Sequence, residues 1–66
     1  MNWQEFRVAR KSLGLSVSQL AVILDTNPVT IRKWETPPDY KTSRSPNPIA
    51  CQVLRWLTDG RLKLND

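Results

Sequence analysis

Helix-start signals recur along this chain and constrain its fold more than any other feature. Asn2 and Ser16 are each followed, three residues later, by Glu or Gln, which is the capping-box pattern of a helix N-terminus. The Asn-Pro dipeptides at 27–28 and 47–48 combine a favourable capping residue with proline at the first helical position. These signals predict four short helices within 66 residues.

Stop signals follow three of these starts. Gly14 is expected to end the first helix, the Pro-Pro pair at 37–38 the third, and Gly60 the fourth, which spans 48–58. Residues 61–66 alternate leucines with polar side chains and are expected to form a short strand or to fray. The predicted fold class is therefore all-α, a compact arrangement of four helices.

Size and charge restrict the class of protein. A chain of 66 residues has room for one small domain, here residues 1–66, which buries only about 60% of its unfolded surface and for which self-association is expected. Ten Lys and Arg residues against six Asp and Glu residues give a net charge of +4, which suits a polyanionic partner. The longest uninterrupted apolar run covers residues 21–24, so no membrane span is expected.

The residue types that metal and acid–base chemistry require are nearly absent. The sequence has no histidine, and Cys51 is its one cysteine, so neither a zinc site nor an intrachain disulfide is expected. Gly14 and Gly60 stand alone and form no phosphate-binding loop. We therefore expect a cytoplasmic protein that is not an enzyme and has no metal, cofactor or small-molecule ligand.

Residues 15–35 have the spacing of a helix-turn-helix, in which the second helix enters the major groove of DNA. The unit itself, residues 16–35, resembles the Cro/C1-type (XRE-like) helix-turn-helix proteins of phage and bacterial repressors. The residues that carry the resemblance are Leu20, Ala21, Leu24, Thr30, Ile31, Trp34 and Glu35. The resemblance implies a lambda-repressor-like domain that binds double-stranded DNA through the helix at 28–35.

The third helix has one face for packing and another for contacting bases. Ile31 and Trp34 are three residues apart and are expected to pack inward. The predicted base-contacting residues are Asn27, Val29, Arg32 and Lys33. Arg and Lys can donate to guanine, Asn can pair with adenine or bind phosphate, and Val can contact a thymine methyl group. The alternative for the two cations is a solvated charged face.

Phosphate contacts are predicted on both sides of that helix. The backbone N–H groups at the start of the second helix suit a phosphate, and the loop of residues 36–47 follows the third helix. The predicted phosphate-contacting residues are Ser16, Val17, Ser18, Thr30, Tyr40, Lys41, Thr42, Ser43 and Arg44. The alternative for the loop is a flexible, solvated segment.

The resemblance assigns a structural role to Arg10 and Glu35. In the resembling repressors, an Arg late in the first helix pairs with the Glu that closes the recognition helix. Both residue types stand at the matching positions of this chain. We therefore expect a partly buried ion pair that orients the third helix, the alternative being two independent surface charges.

The fourth helix is too apolar to bury all of its apolar residues in one stripe. Ile49, Val53, Trp56 and Leu57 have the spacing of a core-facing stripe. The remaining apolar residues, predicted to form a dimer interface, are Ala50, Cys51, Leu54, Leu62 and Leu64. A symmetric homodimer would place two recognition helices about 34 Å apart, on successive major grooves of a palindromic operator. In the alternative, Trp3 and the C-terminal leucines cover this surface.

These observations predict a sequence-specific transcriptional regulator, a homodimeric repressor that binds an inverted-repeat operator. The region from Trp34 to Gly60 is also similar to small phage regulators encoded beside anti-CRISPR genes, which repress their own operons. Two other functions stay open. One is an antitoxin-type DNA-binding protein, and the other is a protein-interaction module that uses the apolar fourth helix without DNA.

Overall fold

Four helices form the described part of the chain, and the predicted all-α fold is confirmed. The structure, a computed structural model, describes residues 1–63. The helices are α1 (Trp3–Ser12), α2 (Val17–Ile23), α3 (Pro28–Trp34) and α4 (Pro48–Thr58). Residues 61–63 form no strand, and the rest of the predicted C-terminal strand lies outside the described residues. None of the four helices is long and apolar enough to cross a bilayer.

Each helix begins at its predicted residue because a side chain caps it. The side-chain oxygens of Asn2 and Ser16 accept the backbone N–H three positions on, at 2.8 and 3.0 Å, and both capping boxes are complete. Asn27 and Asn47 each accept the N–H two positions on, at 2.8 Å, with proline between. Caps of this kind contribute about 1 kcal/mol each by satisfying N–H groups that the helix leaves unpaired.

Three helices end in the same left-handed turn. The residue after the C-cap has a positive φ in each case: 70° at Gly14, 52° at Asp25 and 78° at Gly60. The next N–H then donates to a carbonyl five residues back, as Thr26 does to Ala21 at 2.9 Å. This is the Schellman arrangement, and the turn between α2 and α3 achieves it with a residue that has a Cβ.

Every helix contributes one completely buried large side chain to the core. These residues are Phe6, Leu20, Ile31 and Leu54. The ring of Phe6 meets that of Trp34 edge to face, with centroids 5.7 Å apart and planes at 75°. Burying a side chain of this size contributes about 1.5–3 kcal/mol. The core therefore lies where α1 packs on α4 and α2 packs on α3.

The buried face of α4 agrees with the face that its sequence spacing predicted only at Leu57, which is buried as expected. The expected core residues Ile49 and Trp56 are 75% and 40% exposed. The residues that α4 buries are Ala50, Cys51, Leu54 and Leu57. Two of these are small, so they allow close packing of the helix in a core that contains Phe6. The prediction was based on the helical spacing of large apolar residues, which does not take the close packing of small residues into account.

The predicted dimer interface is consequently wrong at three positions. Ala50, Cys51 and Leu54 are at most 6% exposed in the single chain and belong to its own core. Leu62 is 42% exposed, so its side chain remains accessible. Leu64 lies outside the described residues.

Candidate nucleic-acid interface

The packing of α2 against α3 leaves one side of α3 open to solvent. Leu20 and Ala21 of α2 are buried together with Ile31 of α3 in one cluster. Ala21 is 2% exposed, and its small side chain lets the two helices approach closely. The side of α3 away from this contact is the candidate interface.

Val29 and Arg32 form the exposed face of α3. Val29 is 52% exposed, and Arg32 is exposed one turn further along the same side. Lys33, four residues after Val29, is half-buried on the same side of the helix. The structure therefore brings together three of the four side chains that the sequence assigned to base contact.

Asn27, the fourth of these residues, acts as the N-cap of α3. Its side-chain oxygen accepts the N–H of Val29 at 2.8 Å. A paired contact with adenine uses both the oxygen and the amino group of the side chain. An amide oxygen can accept two hydrogen bonds, so the adenine contact predicted for Asn27 would share this oxygen with the cap, and it stays a prediction.

Ser16 is also occupied in capping. Its N–H donates to Oε1 of Gln19 at 2.8 Å, and its hydroxyl oxygen accepts the N–H of Gln19 at 3.0 Å. A phosphate bound by the N–H of Ser16, as predicted, would have to displace the Gln19 side chain. Val17 is half-buried and Ser18 is exposed, and their phosphate contacts stay predictions.

Thr30 lies on a different side of α3 from the exposed face. It is half-buried and lines a groove against α4, together with Trp34 and Ala50. Val29 and Arg32 do not line this groove. The phosphate contact predicted for Thr30 therefore has no support from its position.

The loop after α3 folds back onto the end of that helix. The hydroxyl of Ser43 donates to the carbonyl of Thr36 at 2.9 Å. The N–H of Arg44 donates to the carbonyl of Lys33 at 3.1 Å, which ties the end of the loop to α3. The course of residues 36–44 is thus set by hydrogen bonds to the helix that it follows.

Some side chains of this loop are exposed to solvent and free of hydrogen bonds to residues 1–63, whereas others form hydrogen bonds to the loop backbone. Tyr40 is 59% exposed, and Lys41 and Thr42 are also exposed. The guanidinium of Arg44 donates to the carbonyls of Lys41 and Ser43, at 3.0 and 2.7 Å. Ser43 and Arg44 therefore shape the loop, a role that nothing in their sequence spacing indicates.

Arg10 and Glu35 form the expected ion pair. Nε and Nη2 of Arg10 donate to the two carboxylate oxygens at 2.7 and 2.9 Å, and the side chains are 11% and 8% exposed. Nη1 donates to the carbonyl of Leu15 at 2.8 Å. Donating these hydrogen bonds to the Glu35 carboxylate raises the pKa of Arg10, although burial acts in the opposite direction. One side chain thus joins α1, the α1–α2 turn and the end of α3.

Comparisons of this chain with protein-family models, curated proteins and solved structures found no match. In residues 1–63, no group of three or more His, Cys, Asp or Glu side chains is placed to hold a metal ion. The geometry and charge of the exposed α3 face are therefore the basis for a functional argument.

Proposed function

We propose that this chain is a sequence-specific DNA-binding transcriptional regulator that uses α2 and α3 as a helix-turn-helix. The proposal rests on the observation that α3 has one buried side and one exposed side. Ile31 is completely buried, whereas Val29 and Arg32 are exposed together on another side. An α-helix with its side chains is about 10–12 Å across, and the major groove of B-DNA is about 12 Å wide.

Each residue on the exposed face has a chemically suitable base contact. Arg32 can donate two hydrogen bonds to O6 and N7 of guanine, the commonest specific contact in the major groove. Val29, one turn earlier, can pack on a thymine methyl group. Lys33, four residues after Val29, can donate either to a guanine or to the DNA backbone.

Phosphate contacts then come from the loop that follows α3. Lys41 supplies charge, and the hydroxyl groups of Tyr40 and Thr42 can donate to phosphate oxygens. Hydrogen bonds from Ser43 and Arg44 hold this loop against α3, so little ordering is needed on binding. The net charge of +4 adds a general attraction to DNA.

We further propose that the regulator is a repressor that binds an inverted repeat as a homodimer in the cytoplasm of a bacterial or phage-infected cell. Bound at a promoter, it would exclude the polymerase. Two copies related by a twofold axis present two α3 helices to successive major grooves, so protein symmetry is matched by operator symmetry.

Selection from a library of randomised duplexes tests the proposal. Wild-type protein is expected to enrich a defined sequence, and fluorescence anisotropy on the enriched duplex should show tighter binding than on a scrambled duplex of the same composition. Affinity should fall steeply as salt is raised, because each phosphate contact releases counterions.

Two outcomes would contradict DNA recognition. One is a failure to enrich any sequence at low salt, and the other is binding that is insensitive to salt. A reporter placed behind the enriched duplex then tests repression, with increased expression as the result that excludes a repressor.

A further inference from the structure

Val29 is an apolar side chain held in a fixed place on the exposed face of α3. It is 52% exposed, and it occupies the second position of the helix, after Pro28. The side-chain oxygen of Asn27 accepts its N–H at 2.8 Å, so the cap of the helix fixes its backbone. A valine in a helix also keeps one χ1 rotamer about 90% of the time. The methyl groups of Val29 are therefore presented in a defined position before any ligand binds.

Arg32 is held in a similar way, one turn further along this face. The hydroxyl of Thr36 donates to the carbonyl of Arg32 at 2.6 Å, and the N–H of Glu35 donates to the same carbonyl at 3.2 Å. The one ion pair within residues 1–63 joins Arg10 to Glu35, so the charge of Arg32 has no acidic partner there. The side chain of Arg32 is exposed, and its guanidinium can donate to a guanine.

The spacing of these two side chains along α3 decides which base pairs they can contact together. Three residues of an α-helix rise about 4.5 Å. Successive base pairs of B-DNA are about 3.4 Å apart, and every second base pair is about 6.8 Å away. Any tilt of the helix against the DNA axis shortens the separation of the side chains measured along that axis. Val29 and Arg32 therefore fit neighbouring base pairs better than pairs that are two steps apart.

The side chain of Val29 suits a methyl group as its contact. Valine has no polar side-chain atom, so it cannot form a hydrogen bond with O4 of thymine or the N4 amino group of cytosine. The group that it can contact in the major groove is the C5-methyl group of thymine. 5-Methylcytosine carries a methyl group on the same ring atom, whereas cytosine and uracil carry a hydrogen there. Val29 therefore distinguishes these four bases by the methyl group alone.

We propose that this site binds a C5-methyl group on a pyrimidine in the base pair next to the guanine that Arg32 contacts. The inference rests on the proposed function and adds to it a methyl-bearing two-base-pair step as the ligand. Thymine supplies the methyl group in unmodified DNA, and 5-methylcytosine supplies it in methylated DNA. Affinity for an operator with cytosine at this position therefore depends on the methylation of that cytosine, so DNA methylation regulates binding.

Four versions of the enriched duplex test the proposal with the wild-type protein. Arg32→Ala first identifies the guanine, because the variant loses its preference for guanine at that position. The pyrimidine at the neighbouring base pair is then thymine or uracil opposite adenine, or 5-methylcytosine or cytosine opposite guanine. The two duplexes of each pair differ by the methyl group alone. Each methyl group is expected to strengthen binding about fourfold per half-site, as measured by fluorescence anisotropy.

Val29→Ala and its matched control Val8→Ala separate this contact from other effects of a methyl group on DNA. Val8 is 62% exposed on α1, so both substitutions shorten an exposed valine of a helix. Alanine ends at Cβ and leaves the methyl group of the base without a close contact, so Val29→Ala should reduce both ratios below about twofold. Val8→Ala should keep the fourfold preference. Circular dichroism should show wild-type helicity for both variants.

Salt provides a further readout on the same duplexes. Contact with a methyl group releases no counterions, so both affinity ratios should be the same at low and high salt even though each affinity falls. Ratios that change with salt would contradict an apolar contact.

A ratio near one in either pair of duplexes would overturn the proposal, and so would a full fourfold preference retained by Val29→Ala. The proposal also fails if Arg32→Ala changes no guanine preference, or if the enriched duplex has no thymine at a base pair next to that guanine. In each of these cases DNA recognition itself stands, because enrichment and salt-dependent binding report on it separately. If no duplex is enriched, both the proposed function and this inference are wrong.

Discussion

At the scale of single residues, Arg10 fixes the orientation of α3. Its guanidinium holds the carboxylate of Glu35 with two hydrogen bonds and the carbonyl of Leu15 with a third. Both charged side chains are largely removed from solvent, so losing one leaves the other without compensation. Under the proposed function, the direction of α3 decides whether Arg32 can reach a base edge, so we expect the ion pair to influence DNA recognition without contacting DNA.

Glu35→Gln is expected to lower the free energy of unfolding by about 1–3 kcal/mol. Glutamine keeps the shape of the side chain but leaves the charge of Arg10 unpaired. For a domain of this size, 1 kcal/mol shifts Tm by about 4–8 °C, which thermal unfolding followed by circular dichroism resolves. Asp39→Asn is the control, because it removes the same charge from an exposed loop position. The expected change there is within about 0.5 kcal/mol, and equal losses in the two variants would refute the role of the pair.

Arg32→Ala is expected to weaken binding to the enriched duplex by about 1–3 kcal/mol, or roughly 5- to 150-fold, because alanine cannot donate to guanine. The variant should also lose its preference for one particular base at a single position of the duplex. Arg55→Ala, on the exposed part of α4, removes the same charge away from α3. A competition assay against single-base variants of the duplex distinguishes the two. Arg32 has no part in base recognition if both variants lose affinity equally for every sequence.

At the scale of the elements, the left-handed turns that end the helices differ in backbone strain. Gly14 adopts a φ of 70° without steric cost, whereas Asp25 adopts 52° with a Cβ. A left-handed conformation costs a residue with a Cβ roughly 1–2 kcal/mol. Nothing lies within 4 Å of a Cβ placed on Gly14, so conformation alone decides the effect of a substitution there.

Gly14→Ala is therefore expected to destabilise the chain by about 1 kcal/mol, and Asp25→Gly to stabilise it by a few tenths to about 1 kcal/mol. The second gain is smaller because glycine also increases the entropy of the unfolded chain. Chemical denaturation gives both values. Changes of the same sign would show that the left-handed turns do not control these two effects.

At the scale of the whole molecule, the net charge of +4 is expected to contribute to the proposed association with DNA. Lys41→Ala should reduce the slope of log affinity against log salt by about 0.9 for each phosphate that is no longer neutralised, or about twice that for a dimer on two half-sites. Lys11→Ala removes the same charge from an exposed position on α1 and should leave the slope unchanged. Anisotropy titrations at several salt concentrations measure both slopes. A phosphate role for the loop is excluded if the Lys41 variant keeps the wild-type slope.

Helical geometry predicted the exposure of some residues of the candidate site but not the roles of others. The exposure of Val29 and Arg32 follows from the inward packing of Ile31, because positions on a helix face are set by sequence spacing. Helical spacing could not predict whether the side chains of Asn27 and Ser16 cap their helices or bind a ligand. Their side chains suit both roles, and only the hydrogen bonds of the folded chain show that both act as helix caps.

The sequence by itself determined where each helix begins and where α1 and α4 end, because caps and left-handed glycine turns depend on hydrogen bonds between residues at most five positions apart. Only the tertiary structure decided which face of α4 is buried. Apolar residues surround most of that helix, so its own periodicity allows more than one solution. The choice depends on close packing in the core that contains Phe6 of α1, and it leaves Ile49 and Trp56 exposed.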